Sequence, residues 1–146
     1  MINKELSSVI EEKMRSINWE TLKAGRSILK NYGLTDLQFD ILVTLFFYKE
    51  IETLTGVSSK LHLAKSTISS VFDKLEREFY ISRKRVISDK RVVKVRLLKK
   101  GKDMIHRVIS YRIKFIESLI ENISQNDLIL LDSLLNKMLI KLGNTS

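Results

Sequence analysis

The fold is decided by residues 65–101, which read KSTISSVFDKLEREFYISRKRVISDKRVVKVRLLKKG. In the first part of this stretch, apolar residues recur at the i, i+3, i+4, i+7 spacing of one helix face, at Ile68, Val71, Phe72 and Leu75. This spacing predicts a helix over residues 65–78 with a polar outer face. We expect Ser66 to be its N-cap, because a serine hydroxyl accepts a hydrogen bond from the first turn.

A basic hairpin is predicted after this helix. Apolar residues at positions 93, 95 and 97 alternate with Lys94 and Arg96, which is the period of a β-strand. Residues 81–87 are its predicted antiparallel partner, and the turn residues at 88–90 connect the two strands. The stretch therefore predicts a helix followed by a two-stranded hairpin rich in arginine and lysine.

Helical patterns flank this stretch on both sides. We predict helices over residues 4–32, 35–48 and 54–61 before it, and two long helices after it, over residues 99–122 and from Ser124 onward. The helix at 35–48 begins with the capping-box pair Thr35 and Gln38 and is apolar on most sides, as is typical of a central core helix. The predicted fold is mainly α with a small β-hairpin wing.

This order of elements, a helix, a turn, a second helix and a basic hairpin, is that of a winged helix-turn-helix. We predict that residues 34–98 form its DNA-binding lobe. The last helix carries a seam of leucines at 3-4 spacing, and the chain offers little of its own surface to cover it, which favours a contact with a second subunit. The alternative for this seam is packing within one chain.

The positive charge of the chain is concentrated in its middle third. The net charge is +9, but residues 54–102 alone carry fourteen Lys and Arg against four acids, whereas the rest carries twelve against thirteen. Such a local excess favours a polyanionic partner and indicates a nucleic acid. The alternative, charge kept for solubility, does not require this concentration.

The composition argues against several other classes of protein. The chain has no cysteines, which excludes a thiol nucleophile and a cysteine-based metal site. It has only two histidines, far apart in sequence, which argues against a histidine-rich metal site or a catalytic triad. A Gly-rich phosphate loop is absent, and the apolar stretches are too short for a secretion signal or a bilayer span. We therefore expect a cytoplasmic protein that is not an enzyme, has no cofactor or metal, and has no membrane partner.

Three segments resemble the MarR family of multiple antibiotic resistance regulators. Residues 34–42, LTDLQFDIL, are similar to the family pattern LT-xx-Q-F/W-xx-L, and residues 66–76, STISSVFDKLE, are similar to ST-V-S/T-R-xx-D-R-L-E. The wing matches D-x-R-xxx-V-x-L-T-xx-G best, through the residues Asp89, Arg91, Val95, Leu97 and Gly101. Ser70, Phe79 and Leu98 depart from the pattern, where many members have Arg, Gly and Thr.

The resemblance implies a homodimeric, sequence-specific transcriptional regulator that binds double-stranded DNA, in which the N- and C-terminal helices of residues 1–33 and 99–146 form a helical dimerisation region. We expect a repressor acting on a pseudo-palindromic operator. Two recognition helices would then enter successive major grooves about 10 bp apart. In this family a small, often aromatic ligand commonly releases the DNA. The alternative that remains is an architectural or protein-interaction module that binds nucleic acid without ligand control.

We assign the DNA contacts from the chemistry of each residue. Hydroxyls on the recognition helix would read base edges, its cations would bind phosphates, and Arg91 would enter the minor groove while Asp89 supports it from the same turn. The predicted DNA-binding residues are Lys65, Ser66, Thr67, Ser69, Ser70, Lys74, Arg77, Arg83, Arg85, Lys90, Arg91 and Lys94. Lys84 would add non-specific affinity together with the other cations of the wing. The alternatives are helix capping for the hydroxyls, a solvated surface for the cations, and a local turn ion pair for Asp89 and Arg91.

Three aromatic residues are candidates for the lining of an effector pocket. They are Trp19, Tyr32 and Tyr111. Aromatic residues at helical spacing are more often part of a core or of a dimer interface, so this alternative stays open.

Overall fold

The computed structural model describes residues 3–143, except for the side chain of Lys65. Its elements confirm the predicted order of helices around a hairpin, and the fold class is as predicted. The elements are α1 (Lys4–Arg26), a 3-10 turn (Leu29–Tyr32), α2 (Asp36–Phe47), α3 (Leu54–Lys60), α4 (Lys65–Arg77), β1 (Ile81–Arg85), β2 (Val93–Leu97), α5 (Lys99–Ile120) and α6 (Gln125–Lys141).

Local capping signals locate two helix starts as predicted. The Thr35 hydroxyl accepts a hydrogen bond from the backbone N–H of Gln38 (3.2 Å), and the Gln38 side chain accepts one from the backbone N–H of Thr35 (3.0 Å). At α6 the Ser124 hydroxyl accepts a hydrogen bond from the backbone N–H of Asp127. Both caps satisfy N–H groups that have no partner inside the helix.

The predicted end of the first helix and the predicted N-cap of α4 were wrong, whereas α4 begins at Lys65 as predicted. The first helix ends at Arg26 instead of continuing to residue 32, because a 3-10 turn follows and ends at Gly33 with φ +66°. This turn allows Ile28 and Leu29 to be buried in the core. At α4 the cap position belongs to Ala64, whose backbone is extended and whose side chain makes no capping hydrogen bond, so Ser66 lies within the first turn.

The hairpin, here called the wing, has two chemically different faces. In the antiparallel pairing Arg83 lies opposite Val95, and Lys84 lies opposite Lys94. Paired residues share a face of the sheet, so Arg83 lies on the same side as the buried Val95. Lys84 and Lys94 lie on the opposite side of the wing.

The core connects the helix-turn-helix, the wing and the beginning of α5. Its members lie on nearly every element of this region, and α2 supplies four of them, as expected of a central helix. They are Ile28, Leu29, Leu34, Phe39, Ile41, Leu42, Leu45, Val57, Phe72, Leu75, Tyr80, Ile81, Val95, Met104, Ile105 and Val108.

The chain divides into two compact units, residues 1–112 and residues 113–146. The predicted DNA-binding lobe, residues 34–98, lies entirely within the first unit. The second unit contains the end of α5 and all of α6. Within residues 3–143, none of the helices combines the length and the apolar character that crossing a bilayer requires.

Candidate nucleic-acid interface

One face of α4 presents small polar side chains to solvent. Ser66, Ser69, Ser70 and Arg77 are all exposed, and they follow the spacing of a single helix face, while Thr67 is half-buried at its edge. The opposite face carries the buried Phe72 and Leu75. The apolar stripe therefore anchors α4 to the core and leaves the hydroxyl-bearing face free to enter a groove.

The hydroxyls on this face make only long hydrogen bonds. The Ser69 hydroxyl donates to Asp73 at 3.3 Å, and the Ser70 hydroxyl donates to the carbonyl oxygen of Thr67 at 3.4 Å. Both are longer than the range of about 2.5–3.0 Å that is typical of O–H donors. Exchanging these bonds for contacts with DNA would therefore cost little.

The cations predicted on α4 differ in their surroundings. The Lys74 ammonium donates a hydrogen bond to the carbonyl oxygen of Gly33, which ties α4 to the turn before α2. Arg77 is exposed, and it makes no hydrogen bond or ion pair with any residue the structure describes. The side chain of Lys65 lies outside the described part of the chain.

Arg83 is bound to α4. Its guanidinium donates hydrogen bonds to Asp73 and, at 3.1 Å, to Glu76, and its backbone N–H donates to the other Glu76 oxygen at 2.8 Å. The hydrogen bond from Arg83 lowers the pKa of the Asp73 carboxyl. Burial opposes the charge of Arg83, but the hydrogen bonds to Glu76 and Asp73 outweigh it and raise the pKa of the guanidinium. We call Arg83, Asp73 and Glu76 the Arg83 cluster.

Arg91 lies at the tip of the wing with a side chain that is 92% exposed. Asp89 accepts hydrogen bonds from its backbone N–H (3.0 Å), its Nε (3.1 Å) and a terminal guanidinium nitrogen (3.3 Å). The side-chain hydrogen bond from Arg91 is the main reason why the pKa of Asp89 is lowered. Asp89 thus restricts the arginine to few conformations without burying it.

The remaining predicted cations surround this tip. Arg85 donates a hydrogen bond to the carbonyl oxygen of Lys90 at 2.9 Å, which closes the end of the wing. The Lys90 side chain is exposed, and the Lys94 ammonium lies 3.8 Å from the Glu52 carboxylate. The wing therefore carries exposed cations at its tip and along its outer face.

The predicted set did not include one further cation, Arg96. Arg96 and the predicted Lys84 are both exposed on the outer face of the wing and line a cavity of about 870 Å³ between the wing and the end of α2. The signal for Arg96 was present in the sequence, because it alternates with Val95 and Leu97 at the period of a strand. The predicted set also did not anticipate that Asp73 and Glu76 bind Arg83.

The three aromatic residues predicted to line an effector pocket are at least partly open to solvent. Trp19, Tyr32 and Tyr111 have exposed fractions between 40% and 67%. The guanidinium of Arg107 lies over the Tyr32 ring at 5.8 Å from its centroid, within the range of a cation–π contact.

The functional groups that this surface presents are hydroxyls and cations, which suit hydrogen bonding and charge pairing. Within residues 3–143 there is no cluster of three or more histidine, aspartate or glutamate side chains that could hold a metal ion. The arrangement of a hydroxyl-bearing helix beside an arginine-tipped hairpin suits the grooves and phosphates of a nucleic-acid duplex.

The known proteins that this chain resembles are described as transcriptional regulators. Residues 23–108 match the family described as transcriptional regulator SarA/Rot. The HTH-type transcriptional regulator YsmB of Bacillus subtilis is 29% identical over 140 residues, which cover 94% of this chain and 95% of YsmB. The HTH-type transcriptional repressor YetL of Bacillus subtilis is 29% identical over 119 residues, which cover 81% of this chain and 67% of YetL.

A solved structure supports the same relationship. A MarR family protein from Bacillus stearothermophilus is 30% identical and superimposes with a TM-score of 0.75. The match covers 99% of this chain and 100% of that protein.

Proposed function

Because the chain belongs to the MarR and SarA/Rot families of transcriptional regulators, we propose that it is a DNA-binding repressor that acts as a homodimer on a pseudo-palindromic operator. The observation that carries this proposal is the combination, within one compact unit, of the exposed serine face of α4 and the exposed Arg91 at the wing tip. The serines supply base-edge contacts in the major groove, and Arg91 supplies a cation for the narrow minor groove. Repression is supported by the likeness to YetL.

The homodimer is supported by apolar surface on the outer helices. On α1, residues Leu6, Val9, Ile10, Met14 and Ile17 follow one helix face and are each 43–56% exposed. On α6, no residue is buried although the helix carries a leucine-rich seam. Apolar surface of this extent marks a protein–protein contact, and a second copy of the chain would cover it. We therefore keep residues 1–33 and 99–146 as the proposed dimerisation region.

Release of DNA by a small ligand is the finer part of the proposal. Arg112 has a buried Nε with no hydrogen-bond partner among the described residues, and the positions of its Cγ and Nε leave no room for a Cβ on Gly25. Burial and, to a smaller extent, the nearby Arg26 lower the pKa of its guanidinium. A ligand with a carboxylate would satisfy this donor, and Trp19, Tyr32 and Tyr111 would supply the aromatic surroundings. Binding would then shift the population of DNA-competent dimers.

The experiment that tests DNA recognition is selection of bound fragments. The purified full chain is mixed with sheared genomic DNA of its source organism, and the recovered fragments are sequenced. We expect inverted half-sites whose centres are about 10 bp apart. In competition, the protein should prefer a recovered site to random duplex by about 10³ or more. Recovery of fragments without a shared motif would favour the architectural alternative instead.

Ligand control is tested separately on the complex of protein and operator. Benzoate, a simple aromatic carboxylate, is titrated into the complex while DNA binding is followed by fluorescence anisotropy. We expect release from the wild-type protein and weaker release from Arg112→Met. Benzoate that binds equally well to both proteins, or to neither, would contradict the role given to Arg112.

A further inference from the structure

The Arg83 cluster links the wing to the recognition helix through its side chains. Asp73 and Glu76 lie one helix turn apart on α4, and Arg83 in β1 binds both. A single guanidinium with several donors can bind two carboxylates at once and fix their directions. The relative position of α4 and the wing therefore depends on this one side chain as well as on the apolar core.

Arg83 differs from the exposed cations of the wing. Its side chain is only 22% exposed, compared with 92% for Arg91. It lies on the side of the wing shared with the buried Val95, whereas Lys84 lies on the opposite side. Its Nη2 donates to both carboxylates, so a phosphate that bound this nitrogen would have to displace Asp73 and Glu76. Arg83 is therefore poorly placed to be one of the phosphate contacts.

The cluster also reaches the face that would read DNA. Asp73 lies on the exposed face of α4 and accepts a hydrogen bond from the Ser69 hydroxyl as well as from Arg83. An uncompensated carboxylate at this place would repel the phosphates of a duplex. Arg83 compensates this charge and connects it through Asp73 to one of the serines proposed to contact bases.

We propose that Arg83 is a positioning residue that sets the sequence preference of the DNA interface by fixing the wing to α4, without contacting DNA itself. This inference rests on the proposed function, because it concerns how the same interface discriminates its operator. Phosphate contacts determine the affinity for any duplex. The position of the base-reading helix α4 relative to the wing determines how well the protein distinguishes its operator from other duplexes. Loosening the cluster should therefore lower specificity more than general affinity.

The test removes the two carboxylates and leaves the arginine in place. In the double variant Asp73→Asn/Glu76→Gln the lobe gains two units of positive charge, so electrostatics alone predicts tighter binding of every duplex. The proposal predicts instead that the preference for the operator over random duplex falls by about ten-fold or more, as expected for loss of charged hydrogen bonds. Both affinities are measured by anisotropy over a series of salt concentrations.

Two further variants make the outcome decisive. Glu78→Gln removes an acid near the end of the same helix but outside the cluster, and it should tighten both duplexes equally. Arg83→Gln breaks the cluster from the wing side and should lower the preference for the operator as the double variant does, which covers the case in which the double variant does not fold. A variant that is merely less stable would lose both affinities in proportion and would keep the preference.

The opposite results overturn the proposal. If the double variant binds operator and random duplex more tightly in the same proportion as Glu78→Gln does, Arg83 is an ordinary backbone cation released from its acids. If the wild-type protein itself shows no preference for any recovered fragment, the proposed function fails before the cluster is tested. The two failures are therefore distinguishable.

Discussion

At the residue scale, backbone conformation identifies a strained position before the wing. Among the described residues, His62 and Phe79 are the non-glycine residues with positive φ, and Phe79 has φ +62°. Its side chain is 71% exposed, so little packing compensates the strain. The sequence pattern of MarR relatives has a glycine at this place, and the left-handed conformation supplies the physical reason for it.

Phe79→Gly should therefore stabilise the protein. Glycine adopts the left-handed region without a Cβ clash, and we expect the free energy of unfolding to rise by about 1 kcal/mol. Urea denaturation followed by circular dichroism measures this change. Ile87→Gly is the matched control, because Ile87 is even more exposed but does not have positive φ. If both substitutions changed stability equally, the strain at Phe79 would not be the cause.

Arg91 is the residue whose contribution to DNA binding is easiest to isolate. It is exposed and bound only to its turn neighbour Asp89, so Arg91→Ala should leave the folded protein intact. We expect operator affinity to fall at least several-fold and the slope of log affinity against log salt to decrease by about one unit. A gel-shift titration at several salt concentrations measures both quantities.

Lys13→Ala is the control for this prediction. Lys13 is an exposed cation on α1, outside the basic middle third of the chain. Its removal should change neither the affinity nor the salt slope. An unchanged dissociation constant for Arg91→Ala would argue against the wing as a DNA contact.

At the element scale, the joint between the wing and α5 depends on close backbone approach. A Cβ on Gly101 would lie 2.7 Å from the carbonyl oxygen of Tyr80 and 2.5 Å from a methyl carbon of Leu97. The same Tyr80 carbonyl oxygen accepts a hydrogen bond from the backbone N–H of Leu98 at 3.0 Å. Gly101 is thus required where α5 begins beside the base of the wing.

Gly101→Ala should destabilise this joint. The methyl group meets backbone that cannot move without breaking the Leu98 hydrogen bond, and we expect a loss of about 2 kcal/mol in the free energy of unfolding. Thermal or urea denaturation measures the loss. Gly56→Ala in α3 is the comparison, since its Cβ would meet only side-chain atoms, at 3.0 and 3.1 Å. A Gly101→Ala protein as stable as the Gly56→Ala protein would refute the argument.

At the scale of the whole molecule, the apolar side chains of α6 are at least partly exposed to solvent, and none of the residues of this helix is buried. Leu131, Leu134, Leu135, Met138 and Leu139 are each more than 40% exposed. Such a run of apolar side chains is unfavourable in water and favours association with a second copy. A chain of 17.0 kDa should then scatter light as a particle of about 34 kDa.

Leu135→Lys should shift the protein toward a monomer. A charged side chain cannot be buried in an apolar contact without a partner, so association weakens. Loss of the second lobe should reduce operator affinity by about 100-fold or more, because two linked lobes bind with a high effective concentration. Light scattering and anisotropy measure the two effects.

Asn136→Lys supplies the matched control for this experiment. Asn136 is the next residue along α6 and donates a hydrogen bond to Asp132 on the polar side of the helix. The same added charge there should leave the mass and the affinity unchanged. A Leu135→Lys protein that keeps the mass of a dimer would contradict the role of the α6 seam.

Much of this protein could be predicted from local patterns along the chain. The capping pair Thr35 and Gln38, the apolar stripe of α4 and the two-residue alternation in β2 each act over a few residues, so sequence spacing is enough to recognise them. The concentration of positive charge and the Asp89–Arg91 turn are local in the same sense. These features determined the fold class and the region in which DNA contacts are proposed.

Only the tertiary structure decided which basic residues are open to solvent. In the sequence, Arg83 and Arg91 are two arginines of the same basic segment, and both are predicted to contact DNA. In the structure, Arg83 binds two acids on α4, whereas Arg91 extends from the wing tip. The N-cap of α4 was likewise decided by the turn from α3, which makes Ala64 the boundary residue and places Ser66 on the exposed face. The physical reason is that an ion pair depends on distance in space. Asp73 and Arg83 are ten positions apart in the sequence and lie on different elements, and only packing of these elements brings their side chains together.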